Sequence, residues 1–103
     1  MFMDVDQDIF EDLNEIRKKF CNQEVFIPQY QEGLLLARGH IEIVNDYEIN
    51  YNISTTAGSS GAPIISNKLK VIGYHIGAMN HKDHNFGGLL KLPIQEFIKT
   101  FFT

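Results

Sequence analysis

Between Tyr47 and Ser54 the side chains alternate without a break. Tyr47, Ile49, Tyr51 and Ile53 are apolar or aromatic, and Glu48, Asn50, Asn52 and Ser54 are polar. A period of two sends these two sets to opposite faces of a strand. The stretch therefore requires a sheet with one face in a core and one in water. The same period recurs on both sides of it. Residues 25–27 read as a short strand that stops at Pro28. Residues 34–44 read as a longer one, with Ile41 and Ile43 alternating against His40 and Glu42, and Asn45-Asp46 as a two-residue turn. Ile64-Ile65 and residues 70–76 form a further hairpin across Ser66-Asn67-Lys68. Residues 86–92 supply the last strand, in which Gly87-Gly88 marks a close backbone approach or a bulge.

Both ends of the chain change period. In residues 4–20, Ile9, Leu13, Ile16 and Phe20 recur at helical spacing and make one apolar stripe. Asp4, Asp6 and Asp8 stand at the end of that helix where negative charge is favoured, and Arg17, Lys18 and Lys19 at the other. Glu15 and Lys19 are spaced to pair. Near the C-terminus Pro93 suits a first helical position, and Ile94, Phe97, Ile98 and Phe101 make a second amphipathic helix. The expected fold is mainly β. It is a single six-stranded antiparallel Greek-key barrel over residues 23–103 with a closing helix, preceded by an acidic amphipathic helix over residues 1–22.

At 103 residues the chain has room for one core, and its hydrophobic fraction of 44% is that of a folded protein. A net charge of −4 argues against nucleic acid as a partner, because only Arg17-Lys18-Lys19 clusters positive charge and nearby acids offset it. No apolar run approaches the ~20 residues of a membrane-spanning helix, and the first residues lack the pattern of a secretory signal. The single cysteine, Cys21, leaves no internal disulfide and suits a reducing, cytoplasmic setting. No cofactor motif is present. Asp4, Asp6 and Asp8 lack the glycine and distal glutamate of a calcium loop. His81-Lys82-Asp83-His84 matches no zinc spacing and reads as a polar loop, so no metal is expected.

One stretch is composed for chemistry rather than packing. Residues 54–65 run Ser-Thr-Thr-Ala-Gly-Ser-Ser-Gly-Ala-Pro-Ile-Ile, mostly small or turn-forming, between two apolar strands. In a turn of the form G-x-S-G-x-P, the amides of Gly58 and Ser60 can converge as an oxyanion hole while the Ser60 hydroxyl attacks the carbonyl held there. The same composition also describes an ordinary surface loop.

The order of motifs resembles the second β-barrel of chymotrypsin-like (trypsin-like) serine proteases, in particular the glutamyl endopeptidase branch. Val25-Phe26-Ile27-Pro28 up to Gly33 is similar to the strand and loop that open that barrel. Ala37-Arg38-Gly39-His40-Ile41 is similar to its small-x-Gly-x-Ile strand. The turn from Ser54 to Pro63 is similar to its S-T-T-x-G-x-S-G-x-P nucleophile turn, and Val71-Ile72-Gly73-Tyr74-His75-Ile76-Gly77 to its V-I-G-x-H-x-G strand. The resemblance covers residues 24–102. It implies Ser60 as nucleophile, Gly58 and Ser60 amides at the oxyanion, and Ile76, Gly77 and Ala78 pairing with substrate backbone. Thr55 and His75 would face an acidic substrate side chain, favouring Glu or Asp. Read as residues alone, His75 also fits a core-facing strand histidine bonded to a neighbour, and Thr55 fits ordinary strand propensity.

The resemblance also implies a first barrel carrying a histidine base and an aspartate ahead of the nucleophile. Here no histidine precedes His40. Asp8-Ile9 is superficially similar to the family's aspartate segment, but the helical stripe through Ile9 argues against a strand there. Two readings follow. The chain is the C-terminal half of a serine endopeptidase acting on a peptide or protein substrate and inactive alone: a fragment, a split gene product, or one partner of a two-chain enzyme whose N-terminal barrel chain completes it. Alternatively it is a non-catalytic peptide- or protein-binding module built on such a half-barrel, with the N-terminal helix covering the exposed face.

Overall fold

The computed structural model describes residues 3–30, 33–53, 60–78 and 85–102. Six antiparallel strands close into a barrel in the order β1-β2-β3-β6-β5-β4: β1 Glu24–Tyr30, β2 Leu34–Asn45, β3 Glu48–Tyr51, β4 Pro63–Ser66, β5 Val71–Ala78 and β6 Asn85–Leu89. Helix α1 spans Leu13–Phe20 and helix α2 spans Lys91–Phe102. The mainly β barrel with a helix at each end is the architecture expected from the periodicity. Alternation is clean along residues 48–53, since Ile49, Tyr51 and Ile53 are all buried while Glu48 and Asn52 are exposed. These three meet Val25, Ile27, Ile41, Ile64, Ile72 and Leu89 in one core.

Several local expectations are corrected. The N-terminal helix does not run from residue 4. Val5 forms a parallel bridge to Val71, Gln7–Phe10 is a 3-10 turn, and α1 begins only at Leu13. Two aspartates impose the breaks. The Asp6 carboxylate accepts from the Asp8 amide and the Asp12 carboxylate from the Glu15 amide, each at 3.0 Å, so each caps its own short segment. The apolar stripe survives, because Ile9, Ile16 and Phe20 are buried in the barrel core. Lys19 does not pair with Glu15; it bonds Asp8 and Glu11, both at 3.2 Å, and Glu15 takes Lys18.

In β2 the register shifts between Ile41, opposite Tyr51, and Ile43, opposite Asn50. A bulge of this kind adds one residue and reverses facing. Ile41 and Val44 are therefore buried while Ile43 is 52% exposed, contrary to the simple alternation. Asn45 pairs with Glu48, so the turn is Asp46-Tyr47, one residue later than read, with Asp46 at φ 56°. β6 ends at Leu89 and α2 starts at Lys91, ahead of Pro93. Proline is tolerated there because first-turn amides have no intrahelical acceptor.

Candidate active site

Ser60 stands in the turn that enters β4. Its neighbour Gly61 adopts φ +87°, a left-handed conformation that L side chains resist. This geometry lets the Gly61 amide donate to the His75 carbonyl at 2.7 Å while the His75 amide donates to the Ala62 carbonyl at 2.8 Å. The exchange pins the turn against the middle of β5. Ser60 remains exposed, and its hydroxyl donates to the Ile76 carbonyl at 2.8 Å. The amide drawn into the ladder is that of Gly61, one residue past the predicted oxyanion donor. Gly58 and Thr55 lie outside the described residues.

A second bulge shapes β5. His75 pairs with Gly87, but Gly77 pairs with Phe86 and Ala78 with Asn85, so the extra residue is Ile76. His75 is turned inward, 3% exposed, and Ile76 outward. The strand also outruns its neighbour. Pro63, the first residue of β4, pairs with Tyr74, and β5 continues to Ala78. Among the described residues, 76–78 have no ladder partner on the β4 side and lie beside Ser60, where an extended peptide could add.

His75 is not alone in the core. The Tyr51 hydroxyl lies 2.5 Å from its Nδ1, with the rings tilted at 51°. Burial pushes the Tyr51 phenol far above its ordinary range and lowers the His75 imidazole below its usual value. Both groups are thus neutral at pH 7. When the phenol donates along this bond, Nδ1 accepts and the ring proton resides on Nε2. In that tautomer His75 carries an N–H donor at its far edge. Gly87 makes room for this pair: a Cβ there would lie 2.5 Å from Ile64 Cδ1 and 2.9 Å from the Tyr51 hydroxyl. The close approach expected at Gly87-Gly88 is present at both, since a Cβ on Gly88 would meet the Tyr74 ring.

Sequence reading missed two contributors. Tyr51 was legible only as an inward strand residue, since nothing local places its hydroxyl on a histidine 24 positions later. Asn85 is wholly buried, and its side-chain amide donates to the Ile53 carbonyl. It ties the first residue of β6 to the residue preceding the 54–59 segment. A single asparagine at a strand start carries no signal of that role.

Among the described residues, the bond given to the Ser60 hydroxyl runs to a carbonyl rather than to a base. His75 is committed to Tyr51, and His40 is exposed on β2, its amide donating to Asn52 Oδ1 at 2.7 Å. Asp8, whose sequence context hinted at a catalytic acid, is instead an ion-pair hub between Lys19 and Lys68, the latter at 2.9 Å. Hydrogen bonds from those two lysines hold its carboxyl below the usual value.

No family model matches the chain. Over 61 residues, 59% of this chain, it is 31% identical to glutamyl endopeptidase from Staphylococcus epidermidis, and the match spans 21% of that protein. Two solved structures share the fold. Tobacco vein mottling virus protease aligns over 97% of this chain and 43% of its own with a TM-score of 0.58 at 16% identity. Catalytically active tobacco etch virus protease complexed with product aligns over 74% of this chain and 39% of its own, with a TM-score of 0.57 at 14% identity. The chain therefore spans about a fifth of the curated relative and about two-fifths of the viral proteases. The resemblance to a chymotrypsin-like protease barrel, with its likeness to glutamyl endopeptidase, holds in both fold and sequence.

Proposed function

We propose that this chain is the nucleophile-bearing half of a serine endopeptidase, with Ser60 as nucleophile and His75 as the group that selects an acidic substrate residue. The observation that carries the reading is the clustering of Ser60, the edge at 76–78 and the Tyr51-fixed His75 on one stretch of β5. A peptide added along residues 76–78 would place its scissile carbonyl beside Ser60 and a side chain on the His75 side of the strand. There a neutral Nε2–H donates to a Glu or Asp carboxylate, a charge-assisted hydrogen bond worth roughly 1.5–3 kcal/mol. The partner implied is an N-terminal barrel that supplies the histidine base and aspartate, without which the hydroxyl is a weak nucleophile.

The second reading, a peptide-binding module without catalysis, is favoured by the bond from the Ser60 hydroxyl to the Ile76 carbonyl. Two measurements separate the pair. Binding of a peptide ending in Glu, followed by NMR, is expected to shift the Ile76 and Gly77 amides and to weaken about tenfold or more in His75→Ala. An equal response to a peptide ending in Lys would refute the pocket assignment. A fluorophosphonate probe is expected to leave Ser60 unlabelled in the chain alone. Labelling that disappears in Ser60→Ala would show that the chain already contains a base, and would make it an enzyme without a partner.

A further inference from the structure

We infer that the apolar face of α2 is an isologous dimer interface, and that its occupant is the α2 of a second copy of this chain. The inference is independent of the protease reading. In α2, Ile94, Phe97, Ile98, Phe101 and Phe102 fall at i, i+3, i+4, i+7 and i+8, which gathers them on one face. That pattern is what a helix uses to enter a core, yet no residue of α2 is buried. Phe97 is 56% exposed, Phe101 68% and Phe102 74%. Their rings cluster on one another, with centroids 4.8 Å apart for Phe97 and Phe101 and 6.2 Å for Phe97 and Phe102. The first turn is tied to the barrel by the Lys91 ammonium on the Glu11 carbonyl at 2.6 Å and by Leu90 against the core.

A 12-residue helix is marginal in water without tertiary cover, so a face this apolar needs a surface to meet. The area identifies a surface that suffices. Three phenylalanines bury about 150–250 Å² each when covered, and with Ile98 half exposed the patch is on the order of 500 Å² per copy. Two copies packed face to face would bury up to about 1,000 Å², the lower limit for a specific interface and the size of a weak dimer. An antiparallel pair related by a two-fold axis closes on itself, so assembly stops at two. Leu34, Leu35 and Leu36 are also exposed, but Leu35 lies on the opposite face of β2 from Leu34 and Leu36, so this set is divided between two faces.

Sedimentation equilibrium at tens to hundreds of micromolar is expected to give twice the 11.8 kDa chain mass. The double variant Phe97→Glu/Phe101→Glu is expected to return a folded monomer, and Leu35→Glu to leave the dimer intact. A second measurement does not depend on disrupting the patch. Ile98→Cys in a Cys21→Ser background is expected to form a disulfide-linked dimer on mild oxidation. A wild-type monomer throughout that range, growth beyond two copies, a dimer that survives the double glutamate variant or is lost in Leu35→Glu, or the absence of cross-linking through residue 98 would each overturn the assignment.

Discussion

His75 shows how one residue's neighbours decide its chemistry. Buried on β5 and hydrogen-bonded at Nδ1 by Tyr51, it stays neutral where an exposed imidazole would begin to charge. The consequence for stability has a definite sign. Its folded pKa lies below the ordinary 6.5, so as pH falls through that value the unfolded chain takes up a proton that the folded chain refuses. Stability contributed by the neutral ring is present above about pH 6.5 and declines on acidification, levelling off once the folded ring also protonates. Urea midpoints between pH 7.5 and 5 should fall in the wild type and fall less in His75→Gln. Equal slopes would mean that another group governs this window. Asp8 is separable, because its depressed carboxyl pKa confines its own loss to the region below about 3.8. His75 itself was legible in the sequence through its motif. Its hydrogen-bond partner was not, because Tyr51 comes from another strand and fits there only beside a residue without a side chain, Gly87.

At the scale of elements, register shifts in the barrel ladders decide which side chains reach the core. In β2 the bulge exposes Ile43 and buries Val44. In β5 the extra residue, the exposed Ile76, directly follows the buried His75. A period of two read along β2 treats Ile41 and Ile43 as equivalent, and the barrel does not. Ile41→Ala is expected to cost about 2–5 kcal/mol of unfolding free energy, as for a fully buried aliphatic side chain. Ile43→Ala should stay within about 0.5 kcal/mol, as at an exposed position. Comparable losses from both, measured by chemical denaturation, would contradict the bulge. The helix boundary at Leu13 has a local cause, the Asp12 cap, that the sequence does contain. The apolar stripe obscured it, because Ile9 keeps helical spacing with Leu13 even though the backbone between them is not continuous helix.

For the whole molecule, the N-terminal segment is part of the barrel's core rather than an arm beside it. The Asp6 amide donates to the Val71 carbonyl and the Val71 amide to the Asp4 carbonyl, both at 2.9 Å, and Ile9 is fully buried with Ile16 and Phe20. Ile9→Ala is therefore expected to lower the unfolding midpoint of the entire chain by the equivalent of about 2–5 kcal/mol. Protection of the β5 amides from hydrogen exchange should fall with it. A change confined to residues before α1 would show two separate units.

The sequence by itself determined the strands, both apolar helical faces and the likeness of the Ser60 turn and the His75 strand to a protease barrel. Each of these is written in neighbouring residues, through a short period or a contiguous motif. Tertiary structure alone decided the pairings across the barrel: Tyr51 on His75, Asn85 on Ile53, Gly61 against His75, and the bulges that choose which face each strand buries. Those contacts join residues far apart in the chain, and their geometry follows from barrel closure, which no local pattern encodes.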